Sequence, residues 1–346
     1  MLSELLKYGG VAVKSKAIKS KQLNKEDYDQ LIQKVSLSEV VLFLKNNTHY
    51  ADIFKDVPEK NLHRGDIENP LKKYYASVIK KYYKFITNED RRFLKIIFFK
   101  EEIEAIKDIL RRMEGDKERF ITPIDDYAAE HFSVDINKLS EAKNINEFMD
   151  IISGSKYEKI LKYALTSGAN QKMFSLEMAL DNLYYKHMIN EIKSKSKNDV
   201  MRIVYGTEID MKNILWIYRC KKYYNVPNEI IYIYHIPYRC ALTKAVLQEM
   251  INAEDLNQLC DIIKTTAYKD LTEGLEDGKE KKIFIENNYD KYFNDMLRKL
   301  KKDKSFSMVS VIEQLHSVNT EINKIINIVE CIRYSMSAKE ISAICQ

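Results

Sequence analysis

Between Gly206 and Tyr224 the chain reads Gly-Thr-Glu-Ile-Asp-Met-Lys-Asn-Ile-Leu-Trp-Ile-Tyr-Arg-Cys-Lys-Lys-Tyr-Tyr. Within Met211–Cys220 only Lys212, Asn213 and Arg219 are not apolar. At about 100° per residue, Glu208, Lys212 and Arg219 fall within about 40° of one another, with Asn213 to one side. The stretch predicts a helix buried over most of its circumference and carrying one narrow charged stripe. Glu208 and Lys212 stand at i,i+4 in the order that favours pairing. Trp216, inside the apolar run, is expected in the core.

The same ladder occurs three times. Around Asn213, Met211, Ile214 and Ile217 lead to Asn228-Glu229-Ile230; around Lys324, Ile322, Ile325 and Ile328 lead to Lys339-Glu340-Ile341 at the same offset. Around Ala105 stand Ile103, Ile106 and Ile109, with Arg111 at the offset that Arg219 holds from Asn213. The anchors lie 108 and 111 residues apart. A second marker, Glu68-x-x-Leu71-x-x-Tyr74-Tyr75, returns as Glu177-x-x-Leu180 before Tyr184-Tyr185 and as Glu286-x-x-Tyr289-x-x-Tyr292-Phe293. A third is a short apolar helix ahead of a tyrosine: Leu37–Leu44 before Tyr50, Asn144–Ile152 before Tyr157, and Asp255–Ile263 before Tyr268. Three markers in one order at one period predict three diverged copies of a helical unit. They are expected at 36–121, 136–242 and 252–346, behind a basic N-terminal segment, 1–35.

Units of this kind, with Glu-Ile-x-x-Asn-Ile-type ladder helices and tyrosine-pair helices, resemble the C subunit of the prokaryotic V-type (A-type) ATPases, the counterpart of the d subunit of eukaryotic V-ATPases. Glu208–Lys221 carries the resemblance best, followed by Glu321–Ile341; Lys324 and Glu330 depart from the family's Asn and Arg. The resemblance implies an all-α fold of three similar subdomains arranged as a funnel with pseudo-threefold symmetry. It also implies a non-catalytic central-stalk component of a rotary V-type ATPase or ATP synthase. The expected partners are the proteolipid (c/K) ring of the membrane sector and the D and F subunits of the central shaft, in the transport of protons or sodium ions. The expected place is the cytoplasmic face of the membrane, as a peripheral subunit.

Composition agrees with helices. The chain holds nine Gly and five Pro in 346 residues, and 45% of it is apolar. A net charge of +5, with acids interleaved among the lysines, argues for a solvated surface over a nucleic-acid groove. Apolar runs stop at five residues, as in Val40–Leu44 and Ile214–Tyr218, so no bilayer span and no signal peptide is expected. The cysteines, Cys220, Cys240, Cys260, Cys331 and Cys345, form no CxxC and are expected as reduced thiols. His49, His63, His131, His187, His235 and His316 contain no i,i+3 or i,i+4 pair, and no phosphate-cradling glycine loop occurs. Neither metal, nucleotide nor other cofactor is therefore expected.

Along the chain, a helix start is predicted at Asn24-Lys25-Glu26-Asp27. A long helix follows over 69–86 with Pro70 in its first turn, then a break at Asn88-Glu89-Asp90 before Phe93–Met113. Glu114–Lys117 and Thr122-Pro123 read as a linker, Lys193–Asn198 as a solvated turn, and 273–282 as a loop. Ile230–Pro237 has the composition of a strand, but its repeat counterpart Lys339–Cys345 reads as helix, and the repeat decides. The tyrosines, 23 in number, are expected mainly in packing between helices.

Equivalent elements of stacked repeats face a common side, so the charged stripes predict a concave surface for a partner, with Arg111, Lys212 and Arg219 as contact candidates. A helical-repeat scaffold for another protein or for nucleic acid is the alternative that the same composition allows.

Overall fold

The computed structural model describes residues 2–115, 126–167, 172–196, 199–224, 226–273 and 284–345. Every regular element among them is helical. In order these are α1 (Leu2–Lys19), α2 (Lys25–Ile32), α3 (Leu37–Asn47), α4 (Ala51–Phe54), α5 (Arg64–Tyr83) and α6 (Asn88–Glu114). Then come α7 (Asp126–Ala129), α8 (Ile136–Ser140), α9 (Ile145–Ile151), α10 (Glu158–Ser167), α11 (Lys172–Ile192) and α12 (Val200–Arg219), which runs into a π-helical turn at Cys220–Tyr224. The chain continues through α13 (Asn228–Tyr234), α14 (Lys244–Asn252), α15 (Leu256–Lys264), a 3₁₀ turn at Lys269–Thr272, α16 (Phe284–Asp303), α17 (Val309–Arg333) and α18 (Ala338–Cys345). The linker predicted at Thr122-Pro123 and most of the loop predicted at 273–282 lie outside the described residues.

Capping side chains set many of the starts. Asn24 accepts the N–H of Asp27, as the sequence predicted, while Asp135 and Thr243 do the same for α8 and α14. Ser36, Asn144 and Asp255 cap α3, α9 and α15. Each pair of short helices is followed by a buried tyrosine, Tyr50, Tyr157 or Tyr268. Glu68, Glu177 and Glu286 fall near the starts of the long helices α5, α11 and α16.

Some boundaries differ from expectation. Helix α5 starts at Arg64, because the Asp66 carboxylate accepts the His63 N–H (2.8 Å) and begins the helix ahead of Pro70. Pro70 therefore sits inside the helix rather than in its first turn. Asn88-Glu89-Asp90 is the first turn of α6, not a break, since Thr87 Oγ1 accepts the Asp90 N–H (3.3 Å). The segment Ile230–Tyr234 is helical, as the repeat required.

The structure forms two compact units, Met1–Lys159 with Ser310–Gln346, and Ile160–Val309. In the first, the basic N-terminal segment proves to be mostly the helix α1, with Val11, Ser15 and Ile18 buried. Tyr8 donates to Asp90 (3.1 Å), and Ser15 donates to the Ser310 carbonyl (3.2 Å) and meets the Tyr82 hydroxyl (2.8 Å). Tyr50, Phe54, Tyr82, Phe93 and Phe98 fill its core.

In the second unit, α12 is buried on nearly all sides. Ile209, Met211 and Ile214 are inaccessible to solvent, as are Leu180 and Met188 of α11. Gly206 allows the 240 segment to lie against α12, since a Cβ there would stand 2.8 Å from Cys240 Cβ.

Candidate functional site

Three buried carboxylates at equivalent positions of the ladder helices gather backbone and side-chain donors. They are Glu102 on α6, Asp210 on α12 and Glu321 on α17, each three residues ahead of the anchors Ala105, Asn213 and Lys324. Each accepts backbone N–H groups from the segment just ahead of a capped short helix, and each meets the tyrosine that follows the next capped one.

Asp210 accepts from the Cys240 (3.0 Å), Ala241 (2.7 Å) and Leu242 (3.0 Å) amides and from the Tyr268 hydroxyl (2.7 Å). Glu321 accepts from the Leu23 amide (2.8 Å) and the Tyr50 hydroxyl (2.6 Å). Glu102 takes the Ser133 amide (2.5 Å) and hydroxyl (2.7 Å) and the Val134 amide (3.1 Å), with Lys156 Nζ at 3.2 Å. Tyr157 is buried beside Glu102, but its hydroxyl makes no well-formed hydrogen bond.

Burial governs the electrostatics. It pushes Tyr50, Tyr157 and Tyr268 far up, reinforced by the neighbouring carboxylate in each case. Burial also raises Asp210 against the pull of its donors, and lifts Glu321 to about 7. His49 Nε2 lies 3.7 Å from Glu321 Oε1, and burial lowers that imidazole to about 4.

The assignment of partners is a permutation. The tyrosine after α15 is hydrogen-bonded to α12 and that after α3 to α17, while the tyrosine after α9 lies against α6 by packing, its ring 6.4 Å from that of Phe99. In the numbering of the predicted copies, the second leans on the first, the third on the second and the first on the third. Asn213 adds a second buried lock on α12: its amide accepts the Ile236 N–H (2.8 Å) and donates to the Ile236 carbonyl (3.1 Å).

The predicted contact residues lie elsewhere. Lys212 and Arg219 share α12, where Lys212 Nζ stands 5.9 Å from the Trp216 ring centroid and Arg219 is exposed at the helix end. Arg111 belongs to the other unit and pairs with Asp108 (3.3 Å). Glu330, at the third-copy position, meets Arg333 (2.9 Å) and Arg64 (3.2 Å). Trp216 is only part-buried, edge-on to Tyr185 at 6.0 Å and with Lys212 Nζ 5.9 Å from its ring, so the core placement expected for it is corrected: it shares the helix face that carries Lys212. The carboxylates themselves escaped the sequence reading. Their signal was an acid three residues before every anchor, at the same 108 and 111 spacing.

The sequence pattern of the family described as ATP synthase (C/AC39) subunit matches residues 11–344. The chain belongs to that family. It is similar to the A-type ATP synthase C subunit of Methanosphaera stadtmanae, 25% identical over 318 residues, which span 88% of this chain and 78% of that one. With the C subunit of the Methanocaldococcus jannaschii A-type ATP synthase it shares 24% over 336 residues, 94% and 82% of the two chains. With that of Pyrococcus horikoshii it shares 22% over 318 residues, 90% and 82%.

The C/AC39 family is a structural component of a rotary ATPase and not the catalytic one, so the other subunits of the complex are this chain's partners. No helix among the described residues is long and apolar enough to cross a membrane.

Proposed function

We propose that this C/AC39 chain is the central-stalk component that couples the membrane proteolipid ring to the D and F subunits of the rotor shaft during proton or sodium ion transport. It works as a peripheral subunit on the cytoplasmic face. The observation that carries the reading is the permuted pairing of tyrosines and carboxylates. In this reading the copies, near 36–121, 136–242 and 252–346, form a funnel of pseudo-threefold symmetry; the Tyr50–Glu321 and Tyr268–Asp210 hydrogen bonds, and Tyr157 buried beside Glu102, support it. A connector between a ring and a shaft has to transmit torque without internal slip, and hydrogen bonds to buried carboxylates resist sliding because breaking one strands a buried charge. Arg111, Lys212 and Arg219 serve as shaft contacts on the inner wall.

The test is a bridging assay with detergent-solubilised proteolipid ring and purified shaft D–F. The shaft should co-purify with the ring only when this chain is present. Equal recovery of shaft on rings without it would refute the coupling role.

A further inference from the structure

Helix α1 buries one face and leaves another open. Leu6 is 81% exposed and Val13 70%. At about 100° per residue, Leu6, Gly10, Val13 and Ala17 share about 60° of arc, and Lys14 and Lys16 lie about 80° to either side. A Cβ on Gly10 would stand 3.7 Å from the Phe85 ring, so Phe85, 51% exposed just past α5, extends the apolar strip. Lys81 and Lys84, both exposed, precede Phe85 by four residues and one.

These cations are not neutralised. Lys7 is paired with Asp90 and Lys19 with Glu313, but among the described residues no carboxylate lies within 4.0 Å of Lys14, Lys16, Lys21, Lys81 or Lys84. Lys14 and Lys21 stand close enough to Lys81 that, after burial, their charges hold its ammonium below the ordinary lysine value. Across α1 four lysines face a single acid, Glu4.

We propose that this face of α1, together with Phe85, docks onto an anionic lipid surface. Leu6, Val13 and Phe85 enter the headgroup boundary, and Lys14, Lys16, Lys81 and Lys84 take the phosphates. Three protruding apolar side chains are too few for a stable protein interface, which needs about 800 Å² from each partner. A lipid surface needs no matching shape and gains from each lysine it meets. A second copy of the chain would set lysines against lysines. The proposal is separate from the coupling role, because vesicles contain neither ring nor shaft.

The experiment is co-sedimentation of the full chain with phosphatidylcholine vesicles holding about 30 mol % phosphatidylglycerol, against pure phosphatidylcholine. The chain should bind the anionic vesicles alone and release as salt rises. Lys14→Ala with Lys81→Ala should lower partitioning about 25-fold, about fivefold for each lysine, which corresponds to about 1 kcal/mol apiece. Leu6→Glu with Val13→Glu should abolish binding, and both variants should keep the wild-type melting temperature because Leu6, Val13 and Lys81 are exposed and the half-buried Lys14 has no carboxylate within 4.0 Å among the described residues. Equal binding to neutral vesicles, or equal partitioning of wild type and variants, overturns the proposal. So does a wild type that ignores vesicles while the variants lose capture by the purified ATP synthase complex, which would assign the face to a protein.

Discussion

The Tyr50 hydroxyl donates to Glu321 Oε1 at 2.6 Å across 271 residues of chain, and the other oxygen of that carboxylate takes the Leu23 amide at 2.8 Å. One buried acid thus fixes both the entry to α2 and the tyrosine beyond α3 against a helix near the C-terminus. Asp210 does the same for the 240 segment and Tyr268, and Glu102 for the 133 segment. In each case the acid replaces water for backbone donors that the local helices cannot satisfy.

Asp210 is the richest of the three, with three amides and a phenol converging on it. Asp210→Ala leaves those donors in an apolar pocket. At about 1–3 kcal/mol for each stranded polar group, the variant should lose at least about 3 kcal/mol. Urea denaturation reads this as a lower midpoint with an unchanged slope. A loss below about 1 kcal/mol would mean that the donors find other acceptors.

The phenols should rank by geometry. Tyr50→Phe and Tyr268→Phe each remove a hydrogen bond to a buried carboxyl and should cost about 1.5–3 kcal/mol. Tyr157→Phe removes a hydroxyl with no well-formed partner and should be neutral or slightly stabilising. Thermal denaturation of the three single variants checks the order; a Tyr157→Phe cost equal to the others contradicts it.

Legibility followed periodicity. Apolar spacing in Ile103–Ile109, Met211–Ile217 and Ile322–Ile328 was enough to place the ladder helices, and capping residues such as Asn24 placed helix starts. Helix α1 was missed because its inward face is Tyr8, Val11, Ser15 and Ile18, in which a serine breaks the apolar pattern and the outward lysines dominate the composition. Pro70 misled because its usual place is the first turn, whereas the earlier start of α5 depends on one hydrogen bond between His63 and Asp66. The buried carboxylates were invisible to a reading that assigns acids to the surface. Only their partners, 30 to 298 residues away, make them core residues.

Glu321 and His49 should give stability an unusual pH dependence. Burial lifts the Glu321 carboxyl from 4.5 to about 7, so the folded state binds its proton more tightly than the unfolded chain does. That contribution is complete below 4.5 and is lost as pH rises through 7. His49, lowered from 6.5 to about 4, contributes in the opposite sense: its part is complete above 6.5 and is lost as pH falls through 4. The two offset each other in the wild type. His49→Gln should therefore melt at falling temperature between about pH 5 and pH 8, with a range of about 2–3 kcal/mol, and adding Glu321→Gln should flatten the curve. A flat profile in His49→Gln alone would show Glu321 ionised throughout.

The contact residues proposed on the inner wall can be tested through charge. Arg219 is exposed and Arg111 makes a part-exposed i,i+3 pairing with Asp108, so Arg111→Glu with Arg219→Glu should change stability by no more than about 1 kcal/mol. If both face an acidic shaft, the double variant should bind it more weakly, with the greatest loss at low salt, where charges act over the longest range. The third position should matter least. Glu330 already meets Arg64 and Arg333, so its charge is balanced before any partner arrives. Glu330→Gln should accordingly leave shaft affinity nearly unchanged at every salt concentration. A salt series against purified shaft D–F, with wild type and both variants, reads all of this at once. Equal affinities for wild type and the double variant at low salt would remove Arg111 and Arg219 from the shaft interface and leave their charges to α6 and α12 alone.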